Sequence, residues 1–117
     1  MMMNKELKPE SALDSLFIYQ EEFQKILGYE NVPFDDPIMM KQHVLGLVGE
    51  IGEVLQVDQR WKDNGRNEYY NREEKMMEIA DCLIYLINVC LYSGINASEL
   101  YASTVNKINK NFKRFKK

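Results

Sequence analysis

Apolar residues recur at three- and four-residue intervals along most of this chain, and no segment alternates convincingly between apolar and polar positions. The first spacing is that of one helix face and the second that of a half-buried strand, so the pattern predicts an all-α protein without a sheet. From about Ser11 to Leu27 the apolar positions are Leu13, Leu16, Phe17, Phe23 and Leu27, and Gly28 supplies a stop. After the linker ENVPFDDP, Asp36 is placed to cap a second helix with Pro37 at its first position. The second stripe is Met40, Val44, Leu47, Val48, Ile51, Val54 and Leu55, fading near Trp61.

The polar stretch KDNGRNEYYN reads as a loop. Asn71 with Glu74 three residues on then forms a capping pair for a third helix. That helix carries Ile79, Leu83, Ile84, Leu86, Ile87 and Leu91 and ends at Gly94. Asn96 and Glu99 repeat the capping pattern for a fourth helix, whose stripe is Leu100, Val105, Ile108, Phe112 and Phe115, closing on a basic tail. Four helices with mostly short connections predict a four-helix bundle.

The 117 residues suit one domain, with 1–10 as a loose N-terminal tail. At 45% hydrophobic and 28% charged the composition is that of a globular protein, small enough for oligomerisation to add stability. A net charge of −3 lacks the basic excess of a nucleic-acid binder. No apolar run approaches the ~20 residues of a membrane span, and the start MMMNKELKPES has no signal-peptide core. The expectation is therefore a cytoplasmic protein. Cys82 and Cys90, eight residues apart on one helix, are too distant to bridge and read as buried free thiols.

Chemistry enters with two acidic pairs. Glu50 and Glu53 are three apart, as are Glu78 and Asp81, so each pair lies on one helix face. Such pairs alone usually belong to a solvated face. The surroundings change the reading. Gly46, Gly49 and Gly52 flank the first pair inside a helix, where each costs on the order of 1 kcal/mol relative to alanine. They serve either close helix packing or room for a ligand beside the carboxylates. Asp81 leads into the apolar run CLIYLINVCL, where a desolvated carboxylate needs a partner. Clustered carboxylates repel one another, and a shared cation resolves both problems. Oxygen-only ligands favour hard cations, Mg²⁺ or Mn²⁺, over zinc. A di-iron bundle needs two Glu-x-x-His pairs, and the chain has one histidine, His43, read as a half-buried helix residue.

The motif Glu50-x-x-Glu53, 24 residues, Glu78-x-x-Asp81, within LVGEIGEV and EIADCLIYLINV, resembles that of the MazG-like, all-α nucleoside triphosphate pyrophosphohydrolases. The tail NKINKNFKRF resembles a final family helix, and the likeness runs from about Leu16 to Phe115. Trp61-Lys62 is similar to both the deoxycytidine and the dimeric deoxyuridine triphosphatase branches, which leaves the base open.

The resemblance implies hydrolysis of a nucleoside triphosphate to the monophosphate and pyrophosphate. It implies Mg²⁺ on Glu50, Glu53, Glu78 and Asp81, with Glu50 or Glu53 taking the proton of the attacking water. Lys107, Asn111 and Arg114, at i, i+4 and i+7, are the expected phosphate contacts. Gln20, Tyr29, Trp61 and Tyr85 are the expected base or sugar contacts. A homodimer or homotetramer with sites near subunit interfaces is also implied. The competing class is a non-catalytic helical module that binds a nucleotide or a partner.

Overall fold

The computed structural model describes residues 12–29, 35–62 and 69–115. The N-terminal tail, most of the ENVPFDDP linker, most of the polar loop after Lys62, and Lys116 and Lys117 lie outside the described residues. Four α-helices make up the rest: α1 (Ala12–Gln24), α2 (Pro37–Val57), α3 (Arg72–Leu91) and α4 (Ala97–Phe115). A five-residue π-helical turn, Lys25–Tyr29, follows α1. There is no strand among the described residues, and no described helix is long and apolar enough to cross a membrane.

The helix boundaries follow local chemistry. Gly28 adopts φ 99°, a left-handed conformation open to glycine, and turns the chain after α1. Asp36 accepts hydrogen bonds from the amides of Ile38 (3.0 Å) and Met39 (3.1 Å) while Pro37 opens α2. Asn71 caps α3 by accepting from the Glu74 amide at 3.0 Å. Asn96 and Glu99 form a reciprocal capping box: the Glu99 amide donates to the Asn96 side chain (2.8 Å), and the Asn96 amide donates to the Glu99 carboxylate (3.0 Å). Gly94, at φ 69°, lets the chain reverse between α3 and α4, and the Ile95 amide returns to the Cys90 carbonyl at 2.9 Å.

The principal packing is between α2 and α3, which form a hairpin. Backbone bonds tie it at both ends. Gln59 donates to Tyr69 (2.7 Å) and Asn71 to Val57 (3.2 Å) at the loop end, and Asp36 donates to Tyr92 (2.9 Å) at the other. Helix α1 lies along α3, and α4 meets α1 through its first turns. The buried cluster is accordingly small: Phe17, Ile87, Cys90, Leu91 and Ala97, flanked by Leu13, Leu16 and Leu100.

The described residues do not close a four-helix bundle. Every described residue of α4 from Tyr101 onward is exposed. The radius of gyration is 17.1 Å, against about 13 Å for a compact chain of this length. The apolar stripes are real helix faces, but several lack a covering element among the described residues. Val48, Ile51 and Leu55 on α2 are each more than half exposed, and Phe112 and Phe115 on α4 are about 70% exposed. Cys90 is buried as expected, whereas Cys82 is half-buried, because its part of α3 borders the acidic seam rather than the core.

Candidate functional site

The α2–α3 seam is organised in rungs about one helical turn apart, because antiparallel helices meet through successive turns. At the loop end, Lys75 of α3 reaches Asp58 at 2.8 Å. Arg60 also grips Asp58 through two bonds of 2.8 and 2.7 Å, and its guanidinium lies 3.6 Å from the centroid of the Tyr70 ring. These two cations, Arg60 first, hold the Asp58 carboxyl far below the ordinary carboxylate range. Trp61, 57% exposed, stands beside this rung and lines a cavity of about 420 Å³ with Val54, Leu55, Asp58, Arg60 and Lys75.

The middle of the seam is acidic. Glu50, Glu78 and Asp81 each offer a carboxylate oxygen, and these atoms lie within 4.8 Å of one another. All three residues are half-buried. Glu53 stands outside this compact triad, exposed, yet adjoins both Glu50 and Glu78. Burial, then contact with Glu53, and then the charges of the other acids push the carboxyls of Glu50 and Glu78 above their ordinary value. No cation approaches the triad among the described residues: the salt bridges of the structure lie at Lys25–Glu22, Arg60–Asp58 and Lys75–Asp58.

The Oε2 atoms of Glu50 and Glu78 are buried and have no hydrogen-bond partner among the described residues. Orphaned, desolvated carboxylate oxygens are costly, and a hard divalent cation is the ligand that satisfies several at once. The donor set, three carboxylates with a fourth adjoining, fits such an ion.

One turn further from the loop end, Tyr85 lies against Gly46 of α2. His43 adjoins it, with ring centroids 5.8 Å apart, and stacks on Tyr92 at 5.1 Å and 9°. Burial pushes the His43 imidazole below its ordinary value, so it is neutral near pH 7. Beyond it, helix α1 contributes two amides. Gln20 donates to Asn88 at 3.0 Å, and Gln24 accepts from the Tyr92 hydroxyl at 2.6 Å.

The site residues expected from the sequence therefore divide. Glu50, Glu78 and Asp81 come together, Glu53 borders them, and Tyr85 sits one turn away on the same seam. Gln20 is occupied by Asn88, while Tyr29 is exposed at the end of the π-helical turn. Trp61 lies at the opposite end of the hairpin, beside Arg60 and Lys75. Lys107, Asn111 and Arg114 share a face of the exposed α4, whose packing contacts are with α1.

Residues that the sequence did not single out are Asn88, Tyr92 and Gln24, and the Asp58–Arg60–Lys75 cluster. Asn88 and Tyr92 continue the helical stripe through Asp81 and Tyr85 at intervals of four, three and four, which was the available signal. Of the three helix glycines, Gly46 alone meets a neighbour, whereas Gly49 and Gly52 have nothing within 4 Å. Comparison with protein-family models, with curated proteins and with solved structures yields no match.

Proposed function

We propose that this protein is a Mg²⁺-dependent nucleoside triphosphate pyrophosphohydrolase. The observation that carries the reading is the Glu50–Glu78–Asp81 triad, with two buried carboxylate oxygens that no group among the described residues satisfies. In this reading the three carboxylates hold the ion, which supplies neutralisation of a polyanionic substrate and polarisation of its phosphoryl oxygens. Glu53, exposed and adjoining the triad, accepts the proton of the attacking water. The water oxygen bonds to the α-phosphorus, and the bond from that phosphorus to the α–β bridging oxygen breaks. The products are the monophosphate and pyrophosphate.

Tyr85 forms an aromatic wall one turn from the carboxylates, suited to pack on a sugar or base. The phosphate-binding role of Lys107, Asn111 and Arg114 requires the cationic face of α4 to reach an acidic seam. In a homodimer or homotetramer a second copy supplies that face, and the apolar stripes left open on α2 and α4 support such an assembly. Nucleotide-pool cleaning in the cytoplasm is the setting that fits this chemistry.

The test is a panel of ribo- and deoxyribonucleoside triphosphates with Mg²⁺, scored for pyrophosphate, orthophosphate and monophosphate. Pyrophosphate with monophosphate is the expected result. Orthophosphate with a diphosphate would overturn α–β cleavage. Tight nucleotide binding without any turnover would make the protein a binding module instead.

A further inference from the structure

Three glycines interrupt α2, and each costs its helix on the order of 1 kcal/mol relative to alanine. Gly49 and Gly52 face open space. Gly46 does not: a Cβ built there would overlap the Cε1 and Cδ1 atoms of the Tyr85 ring, with Cζ at 3.1 Å. Only glycine lets that ring lie against the backbone of α2. The ring is also confined on a second side. His43, three residues before Gly46, has its centroid 5.8 Å away at an interplanar angle of 49°. His43 is itself held by stacking on Tyr92, which is buried and donates to Gln24 at 2.6 Å.

We infer that Gly46 is a positioning residue: by leaving out a Cβ it seats the Tyr85 ring against α2, one turn from the acidic triad, and so fixes the aromatic surface that the organic part of a nucleotide would meet beside the carboxylates. The inference rests on the hydrolase reading for the identity of the ligand and on the packing alone for the placement of the ring. Gly46 stands four residues before Glu50, and Tyr85 four residues after Asp81, so the aromatic rung and the carboxylate rung are neighbours on both helices. A side chain at 46 displaces a stiff, two-torsion ring that has His43 on one flank. Movement along the seam brings the ring toward the carboxylates and narrows the space for the organic part of the substrate. Movement outward removes the wall. Either displacement acts on substrate fit, leaving the triad and Glu53 in place.

The test is a double-mutant cycle of Gly46→Ala and Tyr85→Ala with Mg²⁺ and the preferred nucleoside triphosphate of the panel, with helical circular dichroism as a fold check. Because both residues act through one contact, Gly46→Ala should raise KM about tenfold with kcat within about twofold, and should change KM less than about twofold in the Tyr85→Ala background. An unchanged KM in the single variant, or an equal effect in both backgrounds, overturns the inference while leaving the hydrolase reading intact. Absence of turnover by the parent protein overturns both. Should Gly46→Ala fail to fold, nuclear magnetic resonance of the parent and of Tyr85→Leu decides the placement. The Gly46 α-protons should carry a ring-current shift in the parent that vanishes in Tyr85→Leu, and identical shifts in the two overturn the inference.

Discussion

Helices α3 and α4 begin almost identically and end up in opposite circumstances. Each opens on an asparagine cap with a glutamate three residues later, and each carries a stripe of apolar residues. Yet α3 packs along α2 and α1, and α4 stands exposed from Tyr101 to Phe115. The stripe Tyr101, Val105, Ile108, Phe112, Phe115 advances by four, three, four and three residues, the spacing of a helix that meets another helix. Local chemistry thus decides that a helix forms and which face is apolar. It does not decide what the face meets. For α3 the partner lies within the chain, and for α4 the partner is supplied from outside it under the assembly proposed above.

The largest expected effect is on the packed side of this comparison. Asp81→Asn or Glu50→Gln removes a member of the triad whose oxygens lie within 4.8 Å of one another. Loss of a direct ligand should exceed the roughly 10–100-fold that loss of an outer-shell partner costs, so pyrophosphate release should fall more than about a hundredfold. Circular dichroism should stay helical, since neither residue belongs to the buried cluster around Phe17, Ile87 and Leu91. Activity within about tenfold of the parent in both variants would contradict the ligand assignment.

Next comes the exposed side. Phe112 is 68% exposed in the single chain. If a second copy covers it, Phe112→Asp removes about 1.5–3 kcal/mol of burial and places a charge in the seam. Self-association should weaken by at least about tenfold, read by sedimentation equilibrium. A mass that is monomeric already in the parent, or unchanged in the variant, would leave α4 without a homologous partner.

Two rungs of the hairpin respond to pH with opposite sign. The carboxyls of Glu50 and Glu78 are raised above the ordinary value of 4.5, so the folded state holds their protons more tightly than the unfolded state does. Their contribution is most favourable below that value and declines as pH rises through the raised folded values. Asp58 is lowered, so its contribution is present above its ordinary value of 3.8 and is lost as pH falls below it. Metal-free protein should therefore lose stability through Glu50 and Glu78 as pH rises above about 4.5, and Mg²⁺ should restore it at pH 7. At a hundredfold excess over its dissociation constant the ion adds about 2.7 kcal/mol, measurable as a rise in melting temperature. Asp81→Asn should abolish most of that rise. A melting temperature indifferent to Mg²⁺ in the parent would argue against a divalent site.

The parts of this molecule that were legible in the sequence are those fixed by short-range physics. Asp36, Asn71 and Asn96 cap the helices they were expected to cap, and Gly28 and Gly94 take the left-handed conformation expected of helix stops. The acidic residues converge because their three-residue spacing puts each pair on one face and a hairpin brings the faces together. Bundle closure was not legible, because an apolar stripe is the same whether its cover comes from the same chain or another. The Asp58–Arg60–Lys75 cluster escaped notice for a related reason. Lys75 is 17 residues from Asp58 across a loop, and no periodicity links the two. Gly46 was visible as a costly glycine, but its partner depends on the register of α2 against α3, which only the folded hairpin reveals.

The smallest effect sharpens the comparison most directly, because it applies one change to both helices. Replacing an asparagine cap by alanine costs about 1 kcal/mol. Asn71→Ala acts on α3, whose first turn begins at the loop end of the seam, where Lys75 meets Asp58. Loosening that turn should lower the melting temperature by several degrees, with a modest loss of Mg²⁺ affinity because Glu78 lies one turn further on. Asn96→Ala removes a cap of the same type, together with the reciprocal bond to Glu99 at 3.0 Å. Its turn packs through Ala97 and Leu100 against the small core, remote in the chain from the triad. The same cost should therefore appear in the melting temperature and in the fraying of α4, with Mg²⁺ affinity unchanged. Equal loss of affinity in the two variants would mean that α4 and the seam are coupled more closely than the contacts within one chain allow. That coupling would itself be the mark of an α4 docked on an acidic seam.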